Sequence, residues 1–122
     1  MARVQLQKIR KSYGDSTVLR DLSLTVNDGE CFTLLGPSGC GKTVLLRLIA
    51  GFEKPDAGVI RIGERVVSDA AASVSAAPNE RDLGVVFQDY AVWPHMTVFD
   101  NIAYPLKLAK VADTELRLLE ER

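Results

Sequence analysis

The chemistry most plainly written into this chain lies in Gly36, Pro37, Ser38, Gly39, Cys40, Gly41, Lys42 and Thr43, which read Gly-x-x-x-x-Gly-Lys-Thr. Glycines at this spacing let the backbone turn tightly and point its N–H groups at an anion, and the free N–H groups of a following helical turn join the same cradle. Gly36, Gly39 and Gly41 supply the unusual backbone angles. Lys42 is placed to reach the outer phosphates of a nucleotide, and Thr43 to offer its hydroxyl to a magnesium ion bridging them. The plainer alternative is a glycine-rich turn with a solvated lysine. The flanks favour the cradle. Cys31-Phe32-Thr33-Leu34-Leu35 is a short apolar run suited to a buried parallel strand, and Val44, Leu45, Leu46, Leu48 and Ile49 form a wide apolar helix face ending at Gly51. Strand, glycine loop and helix in that order make the Walker A arrangement.

Two more residues sit where a ligand could use them. Gln88 follows the apolar run Leu83-Gly84-Val85-Val86-Phe87, read as another buried strand, and open α/β sheets place ligand groups at such strand ends. Its amide oxygen could meet a magnesium ion or an attacking water, although a glutamine after a strand is commonly just a polar loop residue. Tyr13 adjoins the turn residues Gly14-Asp15, where it is either an edge-strand packing residue or a ring on which a base stacks.

The elements around these residues follow from periodicity. Val4 to Ile9 and Val18 to Val26 alternate with period two and read as a half-exposed antiparallel pair joined at Tyr13-Gly14-Asp15. Beyond the loop and its helix, residues 54–58 form a turn, and Val59–Ile62 and Val66-Val67 read as short strands around Gly63-Glu64. Residues 68–79, small and polar, read as an exposed loop. Thr97 can cap a helix with Asp100 three residues on, and Asp113 can cap a last one over TELRLLEER.

The order Tyr13, then GPSGCGKT, then Gln88 within GVVFQDYAVWPHMTVFDNIAYPL resembles the ATP-binding subunits of ABC transporters. The resemblance runs from about Val4 to Lys110 and is most similar to the importer branch serving carbohydrates, polyamines or ferric iron. It implies an α/β P-loop NTPase fold, the N-terminal part of an ABC-type nucleotide-binding domain. The expected division is an antiparallel β region over 1–30, the Walker A strand, loop and helix over 31–51, strands up to Gln88 over 52–88, and the start of a helical subdomain over 89–122. It also implies ATP and Mg2+ as cofactors, with Tyr13 stacking on adenine and residues 36–44 around the phosphates. Thr43 and Gln88 are implied at the metal, with Gln88 in a catalytic role and in the segment facing the membrane partner. The implied partners are the permease subunits and a second nucleotide-binding subunit.

Two departures from the family pattern stand out. Val44 occupies a position where members usually carry a second hydroxyl, and losing one such hydrogen bond costs about 0.5–1.5 kcal/mol. No Leu-Ser-Gly-Gly-Gln signature, no apolar run closing in Asp-Glu and no later switch histidine is present; the only histidine is His95. Water attack on a phosphoryl group needs a group to orient the nucleophile and further charge around the γ-phosphate. This chain alone is therefore expected to bind without turnover. It reads as roughly the first half of an ATPase, either a fragment or shortened frame of a hydrolysing subunit or a regulatory remnant; a non-transport P-loop NTPase would leave Tyr13 and Gln88 unexplained.

Composition limits the remaining classes. With 122 residues, 47% hydrophobic and 25% charged, the chain can build a core, and a formal net charge of −1 argues against a broad nucleic-acid surface. The N-terminus lacks a secretory apolar core, so a cytoplasmic protein, peripheral to the inner membrane face through the permease, is expected. Cys31 reads as a small core residue. Cys40, at a helix start, reads as a thiol open to oxidation or alkylation. Tyr90, Trp93, Pro94, Met96, Phe99 and Tyr104 crowd one short stretch, where they either pack a small helical subdomain or form a groove for a membrane partner.

Overall fold

The alternating start of the chain forms two long strands, β1 (Val4–Tyr13) and β2 (Ser16–Val26), paired antiparallel through a two-residue turn at Gly14-Asp15. Gly14 takes φ 59, the positive angle that such tight hairpin turns demand. The computed structural model describes residues 2–109, which divide into one unit running to Val85 and a second starting at Val86.

In the first unit, strands β3 (Ala57–Ile62), β4 (Arg65–Asp69) and β5 (Val74–Ser75) complete an antiparallel sheet in the order β2-β1-β3-β4-β5. Gly63-Glu64 turns β3 into β4 as expected. The period of two in β1 does not run through: between Leu6 and Ile9 the strand carries one residue more than β2, so both apolar side chains are buried. Lys8 lies in this bulge at φ 49, its N–H donating to Ser23 Oγ at 3.0 Å. Gly58 follows from it, because a Cβ there would lie 2.6 Å from the carbonyl oxygens of both Gln7 and Lys8.

Helix α1 (Lys42–Ala50) lays Leu45 and Leu48 into a core made with Leu6, Ile9, Leu19, Ile60, Val67 and Ala76. Val44 and Ile49 flank this seam, whereas Leu46, expected on the same face, is exposed. Gly51 ends the helix in the left-handed region at φ 92, its N–H donating to the Arg47 carbonyl at 3.0 Å. Beneath that end lies Arg81, only 3% exposed. Its guanidinium donates to the carbonyls of Leu48 (2.8 Å), Ile49 (3.0 Å) and Ala76 (3.0 Å), and to Val67 at 3.4 Å. One side chain thereby satisfies two carbonyls in the last turn of α1 and places positive charge at the negative end of its dipole. Burial, and then repulsion from Arg65, lower the pKa of Arg81.

Three expectations are corrected. Cys31–Leu35 and Leu83–Phe87 form no strand ladder: Leu35 is 97% and Val86 99% exposed, and only Leu34 among the first five packs on the core. A parallel strand is made by neighbours remote in sequence, and none pairs with either run among the described residues. Cys31 is accordingly exposed rather than a core residue. Residues 68–79 are also no simple loop, since Ser68 and Ala76 are buried and β5 pairs with β4.

The second unit is built on α2 (Val98–Leu108), capped as expected by Thr97, whose Oγ1 accepts the Asp100 N–H at 3.1 Å. Asn101 ties the preceding segment down, accepting the Trp93 N–H at 2.9 Å and donating to the carbonyls of Thr97 and Trp93. Trp93 meets Tyr104 edge to face, with centroids 4.8 Å apart, so part of the aromatic cluster packs internally while Tyr90 is fully outside. Lys107, 2.6 Å from Asp100, and then Thr97 hold the Asp100 carboxyl below its ordinary pKa. The helix expected after Asp113 lies outside the described residues.

Arg81→Met is expected to lower unfolding free energy by about 2–4 kcal/mol, because buried carbonyls lose a charged donor. Arg65→Met, which removes a contact at an exposed position, should cost under about 1 kcal/mol. Urea denaturation of both variants checks the ordering.

Candidate phosphate-binding site

The loop ahead of α1 is shaped by what its residues lack. Gly41, the N-cap, sits at φ 100 and brings no side chain, so no capping hydrogen bond forms. The first helical bond runs from the Leu45 N–H to the Gly41 carbonyl at 2.9 Å. The N–H groups of Lys42, Thr43 and Val44 thus meet no acceptor among the described residues and point out of the helix start together. Gly41 is itself buried, with a notional Cβ 3.0 Å from Val18 and 3.1 Å from Leu19, so β2 fixes where the helix begins.

Lys42 folds back over the loop. Its ammonium donates to the Gly36 carbonyl, to the Pro37 carbonyl at 3.0 Å, and to Cys40 Sγ at 3.7 Å. Gly36, expected to supply an unusual backbone angle with Gly39 and Gly41, lies outside the positive-φ region, and an added Cβ there would meet only the side chain of Cys40, with Sγ at 2.6 Å. Gly39 takes φ 83 in open space, so glycine is required there for backbone conformation alone. Pro37, Ser38, Cys40 and Thr43 are exposed, and the Thr43 hydroxyl is in no hydrogen bond among the described residues. Val44 turns its side chain to the core, leaving its N–H as the atom it brings to the cradle.

Tyr13 closes the hairpin at the end of β1 and is 45% exposed. Its hydroxyl donates to Glu53 beyond the C-terminal cap of α1, and the Lys11 ammonium lies 5.2 Å from its ring centroid. The hydrogen bond to Glu53, foremost, raises the Tyr13 pKa. Residues 13 and 36–44 all belong to the first unit. Gln88 stands on an exposed bend in the second unit.

Residues 19–121 match the family model described as ABC transporter. The chain belongs to the ABC transporter family. As a family member it is 53% identical over 116 residues to the trehalose/maltose import ATP-binding protein MalK of Thermococcus litoralis, covering 95% of this chain and 31% of that protein. It is 46% identical to the spermidine/putrescine import ATP-binding protein PotA of Nitrosomonas eutropha, covering 100% of this chain and 32% of the relative. The chain therefore spans about a third of the length of these curated relatives. Among solved structures, a dimeric ATP-binding cassette in a post-hydrolysis state with ADP and phosphate aligns with a TM-score of 0.74 at 27% identity, over 93% of this chain and 52% of that one. A bacterial Atm1-family ABC exporter with ATP bound aligns with a TM-score of 0.69 at 33% identity, over 84% of this chain and 18% of that one. The fold is that of an ABC ATPase domain, here an antiparallel sheet with helices. No helix among the described residues is long and apolar enough to cross a membrane.

Arg81, Glu53 and Arg47 escaped the sequence reading. Arg81 binds backbone carbonyls, which carry no residue code, and Glu53 meets Tyr13 only because β1 and β3 pair with Arg10 opposite Ala57.

Gly41→Ala is expected to destabilise the chain by more than about 1 kcal/mol, since it adds a close contact with β2 to a forbidden φ. Gly39→Ala, strained but unobstructed, should cost less. Paired denaturation curves test this order.

Proposed function

We propose that this chain binds Mg-ATP as part of the ATP-binding subunit of an ABC importer. The observation that carries the reading is the set of three acceptor-free amides at the start of α1, the helix that Lys42 opens. Those donors suit the terminal phosphates of a nucleotide, because N–H groups at a helix start and a flexible cation are what hold such an anion. Residues 36–44 hold the phosphates, with Lys42 exchanging its loop carbonyls for phosphate oxygens. Tyr13 supplies a surface for the adenine ring.

Thr43 is the loop residue whose free hydroxyl would ligate Mg2+, and one neutral oxygen fits an ion that takes its other ligands from phosphates and water. The ion's chemistry, when bound, is to neutralise charge between the outer phosphates. Gln88 would orient the attacking water in the complete subunit, where hydrolysis drives import. The relatives named for import support permease subunits as partners, and the dimeric cassette supports a second nucleotide-binding subunit. The subunit would then sit on the cytoplasmic face of the membrane.

Lys42→Ala should weaken Mg-ATP binding at least tenfold, about 1.4 kcal/mol, by calorimetric titration. Equal affinity of the two proteins overturns the loop assignment. The 122-residue chain by itself is expected to show ATPase activity at background. Turnover of roughly 1 per second or more, abolished in the Lys42→Ala variant, would contradict that.

A further inference from the structure

Tyr13 is tied at several points. Its hydroxyl donates to Glu53, whose other carboxylate oxygen lies 3.5 Å from Nη1 of Arg47 on α1. The Lys11 ammonium over the ring is held by the Lys54 carbonyl at 2.9 Å and Asp56 at 3.8 Å. Asp56 in turn accepts the Ser12 N–H at 2.7 Å, fastening the end of β1 to the segment after α1. An exposed tyrosine ordinarily samples several rotamers. This one has its hydroxyl anchored at the exit of α1 and a cation on one face, which leaves the opposite face for a flat ligand.

Arg47 belongs to the helix whose first residue is Lys42. The chain Tyr13, Glu53, Arg47 therefore connects the ring to the element that carries the phosphate donors. A nucleotide presents its base and phosphates at a limited range of separations, so a stacking ring fixed relative to α1 spares the ordering cost that a free ring would incur on binding.

We propose that Glu53 is a positioning residue for the nucleotide base, holding Tyr13 through its hydroxyl and registering it to α1 through Arg47. This rests on Tyr13 being the adenine platform. Glu53 follows the C-terminal cap of α1, at the opposite end of the helix from the amides of Lys42, Thr43 and Val44, so its effect is confined to ligands that carry a base.

The test measures binding of Mg-ATP and of Mg-tripolyphosphate to the 122-residue chain and to Tyr13→Phe, Glu53→Ala, Glu53→Gln, Tyr13→Ala and the Tyr13→Phe/Glu53→Ala double variant. Tyr13→Phe and Glu53→Ala should each weaken ATP binding roughly three- to tenfold, with no further loss in the double variant. Glu53→Gln, which keeps an acceptor oxygen, should restore most of the affinity. Tripolyphosphate binding should stay unchanged throughout, which also reports that the variants fold. If Tyr13→Ala weakens ATP binding while Tyr13→Phe and Glu53→Ala do not, positioning by Glu53 is wrong and stacking stands. If Tyr13→Ala itself has no effect, the platform reading fails and the proposal with it. Equal loss of ATP and tripolyphosphate affinity in Glu53→Ala would make the residue merely structural and overturn the proposal.

Discussion

Leu45 and Leu48 press α1 against the side chains of Leu6, Ile9, Leu19, Ile60 and Val67, and this apolar seam decides where the start of the helix points. A nine-residue helix is too short to persist in water by its own hydrogen bonds, so it exists because its inner face is buried. Its N-terminus is left uncapped by Gly41, a local cost that the seam offsets. Arg81 completes the arrangement at the other end by occupying the carbonyls of Leu48 and Ile49. With both ends fixed, the three amides at the helix start are set before any ligand arrives, while the Lys42 ammonium rests on the Gly36 and Pro37 carbonyls.

The same geometry relates fold to chemistry in the loop. Two glycines there have their own reasons: Gly39 satisfies a left-handed turn, and Gly41 lets β2 approach the helix start. A loop of ordinary residues could reproduce the composition of charge but not the convergence of N–H groups. Family membership and the resemblance to ATP-binding cassettes agree with what this convergence can do, which is to hold a polyphosphate. Val44 fits that account as a core residue that brings its amide to the loop and turns its side chain away.

What could be read from the sequence was mostly local. The hairpin at Gly14-Asp15, the turn at Gly63-Glu64, the Thr97 cap and the glycine loop are each encoded by a few adjacent residues, and all appear where expected. Cys31–Leu35 and Leu83–Phe87 were equally apolar to the eye, but a strand is a property of its partners and neither run enters a ladder here. Lys8 shows the opposite failure: its bulge shifts the buried positions of β1 by one, which no alternation of residue types announces. Tyr13 and residues 36–44 can be singled out as candidates by residue type and spacing, while Glu53 and Arg81 emerge only from contacts spanning tens of residues. Their importance lies in the side-chain and backbone atoms that the sheet register brings within reach.

The central claim is that the amides opening α1, with Lys42, are the anion-binding groups of this chain. Amide-resolved NMR during titration with Mg-ATP, and separately with Mg-tripolyphosphate, tests it most directly. The account predicts saturable shifts concentrated on the N–H groups of Gly39, Gly41, Lys42, Thr43 and Val44 with both ligands, joined by the Tyr13 ring signals with ATP alone. Saturable binding that leaves these amides unmoved and shifts other groups instead would contradict it.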